Sequence, residues 1–90
     1  MRVFYIDMTG IDSKNELHEL LQERLPLPDY CGSNLDAVHD VLTEYGSSWD
    51  IIFYNLSKIH GSMEVYVGKL QKMCADAVRQ TPGLQIRFYN

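Results

Sequence analysis

Asp36, Asp40 and Glu44 stand four residues apart in a stretch that reads as a helix, so their carboxylates line up along one face of it. Each like-charge pair at that spacing costs a helix roughly 0.2–0.5 kcal/mol, and Asp is a mediocre helix former in interior positions. One reading is a binding surface: an acidic ridge with Tyr30 and Tyr45 near its ends suits a positively charged protein site such as a phosphate-binding pocket. The other is a solvated helix face. The same segment offers a second chemistry, because Asp36, His39 and Asp40 at i, i+3 and i+4 could converge as acid–base groups or metal ligands. Ligands from one helix need a further ligand from elsewhere, and no cleft is indicated. The chain is therefore expected not to be an enzyme and to hold no metal and no cofactor.

The elements that must position these residues can be read in order. Val3 to Ile6 is a short β-prone run, expected as a buried first strand ending at the turn around Gly10. Ser13 and Glu16 have capping-box spacing, and Leu17, Leu20, Leu21 and Leu25 follow at helical intervals until Pro26 and Pro28 forbid continuation. Gly32 frees the backbone, Ser33 or Asn34 can cap, and Leu35, Val38, Leu42 and Tyr45 mark the apolar stripe of a second helix that stops near Gly46. Trp49 to Tyr54, aromatic and β-branched with little alternation, predicts a central strand covered on both faces.

Leu56 to Ile59 could form a short helical turn, and Ser62 could cap a longer helix carrying Val65, Leu70, Met73, Cys74 and Ala77. Pro82 and Gly83 end it, and Leu84, Ile86 and Phe88 alternate as in an edge strand. Strands separated by helices cannot pair as hairpins, so the order β-αα-β-αα-β predicts an α/β fold with a three-stranded parallel sheet and about four helices. Thr9-Gly10-Ile11-Asp12 lacks the glycine spacing and the lysine of a phosphate-binding loop.

Ninety residues, with 46% hydrophobic and 22% charged side chains, predict one domain over residues 1–90, without internal repeat or linker. Twelve acidic against eight basic side chains leave a formal charge of −4, which repels nucleic acid and anionic lipid and favours a basic protein partner. No apolar run reaches the ~20 residues of a membrane span, and the amino end is charged too soon for a signal peptide. Cys31 and Cys74 have neither CxxC spacing nor a metal-finger pattern, and two free thiols suit a reducing compartment. A cytoplasmic location is expected.

The run Leu-Pro-Asp-Tyr-x-Gly-x-Asn-Leu-Asp-Ala over residues 27–37, with Asp40 and Leu42 after it, resembles the barstar family of intracellular inhibitors of secreted bacterial ribonucleases. The order of elements along the whole chain is similar too. The resemblance implies a monomeric protein that caps a basic ribonuclease one to one. It implies that Asp40 takes the place of a substrate phosphate among the enzyme's Arg and His side chains, that Asp36 is the neighbouring acidic contact, and that Tyr30 packs on a catalytic His. It gives Gly32, Asn34 and Leu35 to the loop and helix start that approach the enzyme, and Asp76 to an outlying acidic contact. Read from the residues alone, a purely structural role is the alternative for each of the three: the turn for Gly32, the cap for Asn34 and the core for Leu35.

Three positions depart from the family's best-known member: His39 stands in place of Trp, Glu44 in place of Gly and Tyr45 in place of a second Trp. Glu44 adds bulk and charge at the end of the binding helix, which excludes some partners and suits others. An immunity protein or antitoxin of the same fold, directed at another basic toxin, is the alternative that the sequence leaves open.

Overall fold

The computed structural model describes residues 1–90. The elements run β1 (Arg2–Asp7), α1 (Lys14–Arg24), α2 (Leu35–Tyr45), β2 (Trp49–Tyr54), α3 (Met63–Gln80) and β3 (Gln85–Phe88), with single 3-10 turns at Gly46–Ser48 and Leu56–Lys58. The α/β class and the parallel sheet are as the sequence predicts, in the order β1-β2-β3. Three α-helices form where about four were expected. Asn55 leaves β2 in the left-handed region at φ 64°, and the chain is extended again at Ile59, so only three residues are free to coil between them.

Register places Phe4 beside Ile51 and Ile51 beside Ile86, and one row further Ile6 beside Phe53 and Phe53 beside Phe88. These side chains share one sheet face, where the Phe53 and Phe88 rings stack at 4.7 Å and Phe4 meets Trp49 edge-on at 5.5 Å. All three helices send their buried residues to that core, Leu17 and Leu21 from α1, Val38, Val41 and Leu42 from α2, and Val67 and Leu70 among others from α3. The opposite face has no helix over it, and Val3, Tyr5 and Tyr89 are exposed there. β1 is therefore an edge strand with one open face and not the buried strand its composition suggests, and β2 is fully covered only on its helix side. Asp50 lies on the open side, buried by its neighbours and ion-paired with Arg87 of β3.

Two apolar stripes shift from their predicted positions. In α2 the inward residues are Val38, Val41 and Leu42, while Tyr45 at the last turn is half exposed. In α3 they include Met63, Val67, Leu70, Cys74 and Ala77, and Val65, nearly half a turn away from Met63, faces outward. The Ser13 cap is as expected, its hydroxyl accepting from the Glu16 N–H at 3.1 Å, whereas Ser62 makes no side-chain cap.

The turn between α3 and β3 depends on one glycine. Gly83 has φ 93°, and a Cβ there would lie 2.0 Å from the Ser47 carbonyl oxygen in the turn before β2. Both the backbone conformation and the close approach exclude a side chain. Gly83→Ala is expected to destabilise the protein by more than about 1 kcal/mol in urea unfolding.

At the margin of the core, the Nε2 of buried His18 is 2.6 Å from the hydroxyl of half-buried Tyr66, tying α1 to α3. Burial lowers the pKa of His18 and raises that of Tyr66, so both stay neutral near pH 7. Because the folded value of His18 lies below the ordinary value of 6.5, the unfolded chain binds the proton first. Stability is thus expected to fall as pH drops below that value toward the folded one, and unfolding measured against pH should show a shallower loss for His18→Gln.

Candidate protein-binding interface

The loop after α1 is held from below. The Gln22 side-chain amide donates to the carbonyls of Leu27 at 3.3 Å and Pro28 at 3.2 Å, and the Cys31 N–H closes a turn onto Pro28 at 2.9 Å. Two prolines and these bonds leave Tyr30 at the tip of the loop, 79% exposed. Asn34 then caps α2: its backbone is extended and its Oδ1 accepts from the Ala37 N–H at 2.8 Å. Its amide lies over Gly32, where a Cβ would come within 2.9 Å of Nδ2. Gly32 is therefore the residue that lets the capping side chain seat.

From that cap the ridge rises along α2 with Asp36, Asp40 and Glu44 all exposed, and no Lys or Arg pairs with any of them. His39, its side chain 24% exposed, has Nδ1 4.0 Å from the Asp40 carboxylate. Thr43 donates back to the carbonyls of His39 and Asp40, both at 3.1 Å. At the end of the ridge, hydrogen bonding with Tyr30, and after it the charge of Glu44, raise the pKa of the Tyr45 phenol. Both tyrosines line the space between loop and helix.

Two grooves flank the ridge. One, of about 290 Å³, lies between the Tyr30 loop and α2, with Ala37 and Val41 within it and Asp40, Glu44 and Tyr45 along its α2 side. The other, of about 460 Å³, separates α2 from α3 and is lined by Leu35, Asp36, His39 and Asp76 together with Lys69 and Lys72. Nine of the ten predicted site residues fall on these two grooves, and Asn34 lies on a further hollow beside the second with Lys14 and Tyr66. Leu35 packs against the core and also lines the groove. Asp76 is reached from α2 across the groove, and its carboxylate is ion-paired with Arg79.

Asp36, His39 and Asp40 do not converge as a trio: His39 reaches Asp40 at 4.0 Å, but Asp36 lines the second groove and Asp40 the first. No group of three His, Cys, Asp or Glu side chains is placed to hold a metal ion. Both cysteines are free; Cys31 is part of the first groove, and burial pushes the Cys74 thiol up to about 12. Lys69 and Lys72 were missed by sequence reasoning. Their signal was present, because with Asp76 they occupy i, i+3 and i+7 of one helix, but the acidic ridge drew the reading to acidic residues, and Asp76 was the position taken from that helix. No helix is long and apolar enough to cross a membrane.

A family model described as "Barstar (barnase inhibitor)" matches residues 1–89. The chain belongs to the Barstar family. Among curated proteins it is similar to the one named "Putative ribonuclease inhibitor YrdF" of Bacillus subtilis (strain 168), 44% identical over 43 residues. That match covers 48% of this chain and 47% of the relative, about half the length of each. In this Barstar-family chain the loop and helix carrying the motif are held by the Asn34 cap, whose removal should loosen the start of α2. Asn34→Ala is expected to cost about 1 kcal/mol in equilibrium unfolding, a loss that Asn34→Asp largely restores.

Proposed function

We propose that the protein is an inhibitor of a barnase-type ribonuclease, acting inside the cell as a monomer that binds one enzyme molecule and blocks its cationic active site. The observation that carries this reading is the unpaired acidic face of α2 beside the projecting Tyr30. Asp40 has a side chain 84% exposed and no Lys or Arg partner, only the His39 ring 4.0 Å away, so it reaches a cationic site without first leaving a Lys or Arg ion pair. Family membership and the name of the curated relative point the same way.

Occlusion follows from the chemistry of the groove. A carboxylate that enters a site built for phosphate finds donors and positive charge already arranged, and substrate cannot share the space. Tyr30 and Tyr45 supply apolar area around that contact and exclude water, which strengthens the charge pairs inside. Asp36 and His39 extend the contact toward α3, Gly32, Asn34 and Leu35 bring the helix start and loop close, and Glu44 and Asp76 mark its two ends. The net charge of −4 speeds approach to a basic enzyme, and salt should slow it.

A panel of purified barnase-type ribonucleases, each titrated with the protein while RNA cleavage is followed, tests the proposal. Inhibition should end near one equivalent, and Asp40→Ala should weaken the complex by several kcal/mol with folding unchanged, because enzyme cations are left buried without a partner. The scale is that of charge pairs in the barnase–barstar complex, the family's own reference case. Absence of inhibition across the panel would move the function to a basic toxin of other chemistry, and an unchanged affinity for Asp40→Ala would remove Asp40 from the contact.

A further inference from the structure

The grooves on the two sides of the ridge differ in charge. The one beside Tyr30 has only acidic charged groups, Asp40 and Glu44, whereas in the one between α2 and α3 Lys69 and Lys72 of the α3 wall stand with Asp36 of α2 and Asp76. The basic side continues past Asp36, because Lys14, Tyr66 and Lys69 share the next hollow along α3. None of these three lysines is ion-paired; the Lys or Arg ion pairs of the chain are Arg79–Asp76 and Arg87–Asp50. The acidic residue of the α3 wall, Asp76, already has Arg79 as its partner, so the wall presents net positive charge to the groove. Lys69 and Lys72 are exposed neighbours one turn apart, an arrangement that works slightly against the helix.

A partner that was cationic across its whole contact surface would be repelled by this wall. We infer that the α2–α3 groove receives carboxylate side chains of the ribonuclease through Lys69 and Lys72, so that the docking surface is bipolar. This rests on the ribonuclease-inhibitor reading and adds to it the charge that the enzyme must carry beside its active site. The groove, about 460 Å³ and open to solvent, has room for side chains to enter without rearrangement of α2 or α3. A single acidic patch leaves the partner free to rotate about the Asp40 contact, whereas a basic α3 wall across from the acidic face of α2 sets one orientation. The same arrangement selects against basic proteins that lack an acidic flank, since like charges brought together at an interface oppose binding.

The test uses whichever ribonuclease of the panel binds tightest, with association and dissociation rates measured at low and physiological salt. The proteins are wild type, Asp40→Ala, Lys69→Glu with Lys72→Glu, and Lys69→Met with Lys72→Met, each checked for folding by circular dichroism. Charge reversal is expected to weaken binding at least tenfold, largely through slower association and most strongly at low salt, with the Met pair weakening it less. Binding by the reversed pair that equals or exceeds wild type, or an equal loss in both lysine pairs, overturns the inference. In that case a loss in Asp40→Ala still leaves occlusion by α2 standing. Failure of wild type to bind any enzyme of the panel removes both.

Discussion

Parallel pairing of β2 with both of its neighbours is the constraint on which the rest of this structure depends. Parallel strands cannot be joined by a tight turn, so each connection must leave the sheet, cross it and return, and the crossover is right-handed. With the strands in the order β1-β2-β3, both crossovers advance in the same direction and therefore lie on the same face. α1 and α2 belong to the first and α3 to the second, which brings α2 and α3 side by side. The groove between them is a product of topology before it is a product of side chains.

That arrangement also explains the uneven burial of the sheet. Parallel sheets are commonly covered on both faces, and their strands are then apolar throughout. Here one layer of helices suffices, so Val3, Tyr5 and Tyr89 meet solvent while Ile6, Ile51 and Phe53 do not. Asp50 belongs to this compromise: it occupies the central strand on the open face, and the Arg87 guanidinium from β3 compensates its buried charge.

The acidic ridge is anchored for reasons that have little to do with its charges. Val38, Val41 and Leu42 anchor α2 in the core, Asn34 closes its first turn, and Gly46 ends it where Trp49 enters the sheet. Like charges along the exposed face then cost little, because tertiary burial and not helix propensity holds the helix. A rigid element presenting unpaired carboxylates loses little entropy on association, which is the physical advantage of a preorganised surface.

Much of this was legible in the sequence. Capping at Ser13 and Asn34, the proline stop after Leu25, the α/β order and the acidic spacing of Asp36, Asp40 and Glu44 are local patterns, and local hydrogen bonding and helical periodicity are enough to produce them. Which face of each element turned inward was less certain, as Tyr45 and Val65 show, because an apolar residue at the margin of a stripe is buried only if a neighbouring element covers it. Tertiary structure alone decided that β1 is an open edge, that Asp36 and Asp40 belong to different grooves, and that Lys69 and Lys72 stand across from the ridge. Those facts depend on contacts between segments far apart in the chain, set by the strand order and the crossovers, and no periodicity within a segment contains them.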